Sequence, residues 1–162
     1  MSAIQFGTIF VISMTTRQYC RATIKKYTTM MIQEDYCSDE LSKLLKEKGF
    51  DWNIRQYYAL DSKTNVWELE YDDNQGNYNI YGENPISAPT QQMAMKWLRK
   101  KHGLHISVAP YLNEEGEVTW VWEIINIETA TIIADSLDDD DDFNSCEEAV
   151  EASLKHCLTE LI

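Results

Sequence analysis

The strongest constraint on this chain is the order of signals across residues 88–162: helix, three strands, acidic loop, helix. Thr90 can cap a helix over residues 91–101, which ends in a basic turn before Gly103. Met93, Ala94, Trp97 and Leu98 make its apolar face, and Lys96, Arg99 and Lys100 point away. Residues 104–112 read as a strand, and Asn113 to Gly116 (NEEG) as its hairpin turn. Residues 117–128 carry the clearest strand pattern. Val118, Trp120, Trp122 and Ile124 face one way, and Thr119, Val121, Glu123 and Ile125 the other. Residues 129–134 suit a third strand. Ser145 and Glu148 have capping-box spacing, and Cys146, Val150, Ser153, Leu154, Cys157, Leu158 and Leu161 keep helical period to the end.

The first half is shorter on signals. Ser38 reads as an N-cap with Asp39 and Glu40 in the first turn. Leu41, Leu44 and Leu45 form a stripe that ends at Gly49 in the C′ position. Residues 52–60 and 66–71 read as strands, with Trp67, Leu69 and Tyr71 on one face of the second and Val66, Glu68 and Glu70 on the other. Residues 62–65 supply a turn, residues 72–76 (DDNQG) another, and residues 78–81 a possible third strand; residues 84–89 (NPISAP) then break the pattern. A helix followed by strands thus occurs twice. The two helices also match in form, each capped by Ser or Thr, striped with apolar residues and closed by Gly.

Charge is distributed unevenly. The net charge is −13, yet residues 113–162 hold one Lys against fifteen Asp or Glu. Such a field repels phosphate backbones and attracts basic protein surfaces. Its simplest role is solubility. An apolar fraction of 44% supports a real core. Cys20, Cys37, Cys146 and Cys157 show no CxxC spacing and read as free thiols of a reducing cytoplasm. Residues 4–12 are apolar but only about half a membrane span, and no signal-peptide pattern accompanies them. Met14 opens a more usual polar start, so residues 1–13 read as an over-extended frame or a flanking strand. Residues 1–33 are expected to be poorly ordered or weakly structured, with at most a weak helix over 15–33.

Residues 86–105 (ISAPTQQMAMKWLRKKHGLH), 143–162 (FNSCEEAVEASLKHCLTELI) and 41–52 (LSKLLKEKGFDW) carry a resemblance. On these segments the chain resembles a family of small uncharacterised proteins of gut anaerobes, their phages and mobile elements. Members carry "SAPT…A-KWLR…HG-HI", a hairpin, and a closing "S-EEA…GL…AL-LI" helix. The match covers most of the chain, with residues 1–30 outside it. Ser153 stands where Gly is common, and the aspartate run is longer than usual. The resemblance implies a phage or mobile-element context in a bacterial cytoplasm, and no site residues.

No catalytic or cofactor motif stands out, so neither a cofactor nor an enzymatic activity is expected. Asp138, Asp139, Asp140, Asp141 and Asp142, with Asp135 nearby, could bind a divalent cation through carboxylate oxygens. The EF-hand pattern fails, because Phe143 stands where Gly belongs and Ala149 where Glu belongs. Five adjacent like charges ordinarily stay solvated, and here they precede a helix N-terminus that favours them. His102 and His105 beside Lys100 and Lys101 suggest an acid–base or phosphate site, but no nucleophile or carboxylate is nominated to complete it. His102 reads more simply as a helix C-terminal residue favouring the dipole. His156 and Cys157 are adjacent on a helix and point about 100° apart, which is no catalytic pair. Trp120 and Trp122 could stack bases, though packing beneath helices suits them better. Helix–strand–strand–strand–helix is also the order of double-stranded RNA-binding domains. Those need basic residues at the start of the last helix, where this chain has Glu147 and Glu148.

The composite expectation is an α+β domain of antiparallel β-meanders with two or three helices packed on one face. Residues 34–84 supply a helix and two or three strands, and residues 85–162 the helix–strand–strand–strand–helix unit. Together they are expected to form one compact domain. The expected role is a non-enzymatic accessory protein that binds a protein partner with a basic surface, with no membrane association. Asp135, Asp138 to Asp142, Glu147 and Glu151 would make that contact, the last two from the outer face of the final helix. The alternative is a nucleic-acid-binding module using Lys96, Arg99, Lys100 and Lys101. A third reading is an enzyme whose site is noncontiguous in sequence.

Overall fold

Ser38 starts the first helix. Its hydroxyl accepts from the Leu41 N–H at 3.1 Å, and Asp39 and Glu40 follow at the positive end of the dipole. This helix, α1 (Asp39–Glu47), closes with the paired bonds of a Schellman turn: Gly49 N–H to the Lys46 carbonyl and Phe50 N–H to that of Leu45. Gly49 takes φ +85°, where a side chain is strained. The turn drops Phe50, 1% exposed, onto Trp97 with ring centroids 5.7 Å apart. The computed structural model describes residues 34–137 and 141–162. The expectations for residues 1–33, including Cys20, and for Asp138, Asp139 and Asp140 lie outside them. Residues 35–162 form one compact unit.

Among the described residues the fold is α+β, with three helices and two three-stranded antiparallel sheets. The first sheet comprises β1 (Ile54–Leu60), β2 (Trp67–Gly76) and β3 (Ile86–Ser87) in the order β2-β1-β3. Three local expectations are corrected here. Residues 72–76 are not the turn that ends the second strand. They bulge outward as an Asx turn, Asp72 Oδ1 accepting from Asn74 N–H at 2.9 Å, and Gly76 then rejoins β1 opposite Ile54. Residues 78–81 are a 3-10 turn, because the Asn77 side chain accepts from the Asn79 N–H and the Tyr78 ring stacks on Tyr57 at 4.5 Å. The third strand lies instead inside the breaker at Ile86–Ser87, where Ser87 Oγ accepts from the Tyr78 N–H. With β1 central, this half is not a meander.

The second half follows its signals closely. Thr90 Oγ1 accepts from the Met93 N–H at 3.2 Å to start α2 (Gln91–Lys101), and Gly103 at φ +68° ends it. Then β4 (Leu104–Leu112), β5 (Val118–Asn126) and β6 (Thr131–Asp135) form a meander, with the turn between the first two held by Asn113. The last helix, α3 (Cys146–His156), is capped by Ser145 and widens to π geometry over Cys157–Leu161. One face of this sheet, with Leu104, Ile106, Trp122 and Ile124 buried, packs under α2 and α3. The expected stripe of α3 closes that core through Val150, Leu154, Cys157 and Leu158.

Trp97 is fully buried among Phe50, His102 and the core shared by both halves. Trp97→Ala should cost about 3–5 kcal/mol in denaturant unfolding. Ile80→Ser, at a position 69% exposed, should change stability by less than about 0.5 kcal/mol.

Candidate functional site

The acidic stretch leaves the second sheet at one point and returns to it at another. At the exit, Ser136 donates its N–H to the Trp122 carbonyl at 3.0 Å, and Ser136 Oγ accepts from the Trp122 N–H at 3.1 Å. At the return, Phe143 exchanges both backbone bonds with Trp120, at 2.8 and 2.9 Å. Asp141 N–H also closes on the Ser136 carbonyl at 2.9 Å. The chain is therefore clamped to β5 at Ser136 before the aspartate run and at Phe143 after it. Asp141 and Asp142 are exposed at the returning end. Asp135, on the edge strand β6, stands opposite Glu123 of the central strand β5.

Beyond Phe143, Asn144 donates its N–H to Glu148 Oε2, and Glu148 N–H donates to Ser145 Oγ, both at 3.1 Å. This capping box carries Glu147 exposed in the first turn of α3. Glu151 does not join these exposed carboxylates. Expected on an outer face, it points between helices: Oε1 accepts from the Ser38 N–H at 3.0 Å and Oε2 from Gln91 Nε2 at 3.2 Å. The carboxylate satisfies the N–H of the α1 N-cap, a role set by a residue 113 positions away and invisible to local pattern.

The same pair of helices forms a cleft of about 430 Å³, lined by Ser38, Glu40, Leu41, Lys43, Leu44, Glu151 and Lys155. Much of its polar lining is already occupied. Ser38 caps α1, Glu151 is bonded as above, and Lys43 pairs with Asp39 at 2.7 Å while lying 4.7 Å from the Trp67 ring centre. No local pattern marks this cleft, because its two walls are far apart in sequence.

The basic cluster is spread around α2. Lys96 sits 5.9 Å from the Trp52 ring centre, Arg99 Nη1 meets His105 Nδ1 at 3.4 Å, and Lys100 and Lys101 are exposed. Trp120 and Trp122 are on the core face, where Trp122 is buried against the His156 ring at 5.1 Å.

The three described cysteines are free, and their thiols are held protonated. Burial raises Cys37, with Glu151 adding to it; burial and then Glu147 and Asp35 raise Cys146; burial pushes Cys157 up to about 12. None is a thiolate nucleophile at neutral pH. Among the described residues, no group of three or more His, Cys, Asp or Glu side chains is placed to hold a metal ion, and no helix is long and apolar enough to cross a membrane. No protein family, no curated protein and no solved structure matches this chain.

Ser136→Ala keeps the backbone bond but strips the acceptor from the buried Trp122 N–H. It should cost about 1–3 kcal/mol in unfolding and speed amide exchange at Trp122. A second outcome follows from His102, expected to be a dipole-favouring cation. Its ring packs on Trp97 at 4.8 Å, and Nε2 is buried with no partner among the described residues. Burial first, then Lys101, lowers its pKa below 6.5. A depressed base adds stability above its unfolded pKa and loses it as pH falls through the folded value. Between about pH 7.5 and pH 5.5, wild type should therefore lose more thermal stability than His102→Gln. Equal losses would place the titration elsewhere.

Proposed function

We propose that this chain is a non-enzymatic accessory protein of phage or mobile-element origin, acting in a bacterial cytoplasm on a protein partner with a basic surface. The observation that supports this reading most is the clamping to β5 of Ser136 and Phe143, which flank the aspartate run. A tethered acidic tail would dilute its charge over many conformations. Held at Trp122 and Trp120, the segment keeps the exposed Asp141 and Asp142 at one margin, just before the helix turn that carries Glu147.

Apolar contact is available beside that margin. Two residues along β5 from the Phe143 bridge, Val118 is 68% exposed, and its cross-strand partner Leu112 is 63% exposed. Glu114, Glu115 and Glu117 rim this hairpin end. An apolar pair ringed by carboxylates suits a basic partner that also carries an apolar anchor. The revised contact set is Asp135, Asp138 to Asp142 and Glu147 with Leu112 and Val118; Glu151 is left out. The basic cluster supports nucleic-acid binding less well, since Lys96 and Arg99 already have aromatic and histidine neighbours.

Affinity capture from host lysate, with nuclease, tests the reading. Wild type should retain a stoichiometric protein at moderate salt. Reversing Asp138–Asp142 to Lys should lose it, and reversing Lys100 and Lys101 to Glu should leave it bound. Capture that survives the aspartate reversal, or disappears with nuclease, would overturn the proposal.

A further inference from the structure

Among the described residues, the first sheet ends in a strand with nothing paired to its outer side. That strand, β2, lies at the margin of the order β2-β1-β3, and five consecutive residues, Trp67 to Tyr71, pair with β1 without interruption. Which backbone groups face outward follows from the bonds on β1. The Gln56 carbonyl accepts from the Ala88 N–H, on the β3 side, whereas the Asp61 N–H donates to the Val66 carbonyl, on the β2 side. Bonding direction alternates along a strand, so Tyr57 and Ala59 bond toward β2, to Glu70 and Glu68. The N–H and C=O groups of Trp67, Leu69 and Tyr71 therefore point away from the sheet. They form a ready row of donors and acceptors.

The side chains along this row specify what could pair there. Leu69 and Tyr71 are 44% and 53% exposed and share the face of half-buried Trp67. Glu68 and Glu70 occupy the other face, exposed, and neither has an ion-pair partner among the described residues. A second copy of this strand is a poor match. Antiparallel pairing of two copies sets the glutamate faces together, with Glu68 opposite the other copy's Glu70 when centred on Leu69, and like charges directly opposite destabilise a sheet. The complement is an extended segment whose residues alternate between basic and apolar.

We infer that the outer edge of β2 takes such a segment from a partner protein as an added strand. Main-chain bonds to Trp67, Leu69 and Tyr71 supply the attachment. Glu68 and Glu70 select basic residues on one face, and Leu69 and Tyr71 take apolar residues on the other. The surface is separate from the acidic margin of the second sheet and stands whether or not that margin binds anything.

The test uses the full chain and a fluorescein-labelled peptide of about eight residues alternating lysine and valine. Controls are the same composition in two blocks, and the alternating peptide with its bonding amides N-methylated. Fluorescence anisotropy should show the alternating peptide binding at least about tenfold tighter than either control. Leu69→Pro removes an outward N–H and no β1 bond, and should weaken binding about tenfold with the thermal transition retained. Glu68→Lys with Glu70→Lys should exchange preference from the lysine peptide to its glutamate counterpart, a readout that stands even where the proline variant misfolds. No binding up to about 1 mM, equal binding of the N-methylated peptide, or an unchanged preference in the lysine double variant would each overturn the inference.

Discussion

Two helix beginnings, those of α1 and α2, meet at one carboxylate midway along α3, and the arrangement of the unit depends on it. Glu151 of α3 accepts from the Ser38 N–H at the start of α1 and from the side chain of Gln91, the first residue of α2. Gln91 Nε2 also donates to the Glu147 carbonyl, while its backbone N–H donates to Asp35. A negative group beside the first turn of α1 is favoured by the dipole and satisfies a donor that the helix itself cannot. Hydrogen bonds to charged groups contribute about 1.5–3 kcal/mol each, more than neutral ones. Their direction matters as much as their strength. They fix where α1 starts relative to the second half, and Phe50 then reaches Trp97.

The apolar core follows from that placement. Leu41 and Leu45 of α1, Ala94, Trp97 and Leu98 of α2, and Val150, Leu154 and Leu158 of the last helix converge over Ile106, Trp122 and Ile124. Polar ties at the helix starts and apolar contacts along their lengths thus act on the same three elements. The cleft between α1 and α3 is the gap left beside this junction, which explains why so many of its polar groups already serve the fold.

The helices were legible because each carries its own start and the first two their own stop. Ser38, Thr90 and Ser145 cap as their types and positions imply, and Gly49 and Gly103 take the positive φ that ends a helix. The second sheet was legible because short turns leave consecutive strands little choice but to pair. The first sheet was not. Its pairing turns on a bulge at Asp72 to Gln75 and on the Tyr57–Tyr78 stack, and both reward a chain path that no alternation of apolar residues announces. At the acidic margin, Glu147 is exposed in the first turn of α3. Glu151 turns inward instead, since a charged residue on a helix seeks whichever unpaired donor the tertiary fold brings near.

Strand wiring also bears on how the two halves came to resemble each other. Each is a capped helix leading into a three-stranded antiparallel sheet, yet the first in chain order is the central strand in one half and an edge in the other. Copying a gene segment copies its connectivity along with its residues. A tandem duplication would therefore have needed one half to break its ladder and re-pair through β3, a two-residue strand. Independent use of the same helix-ending and strand-starting rules accounts for the likeness with no such rearrangement. The two halves share a grammar and differ in their wiring.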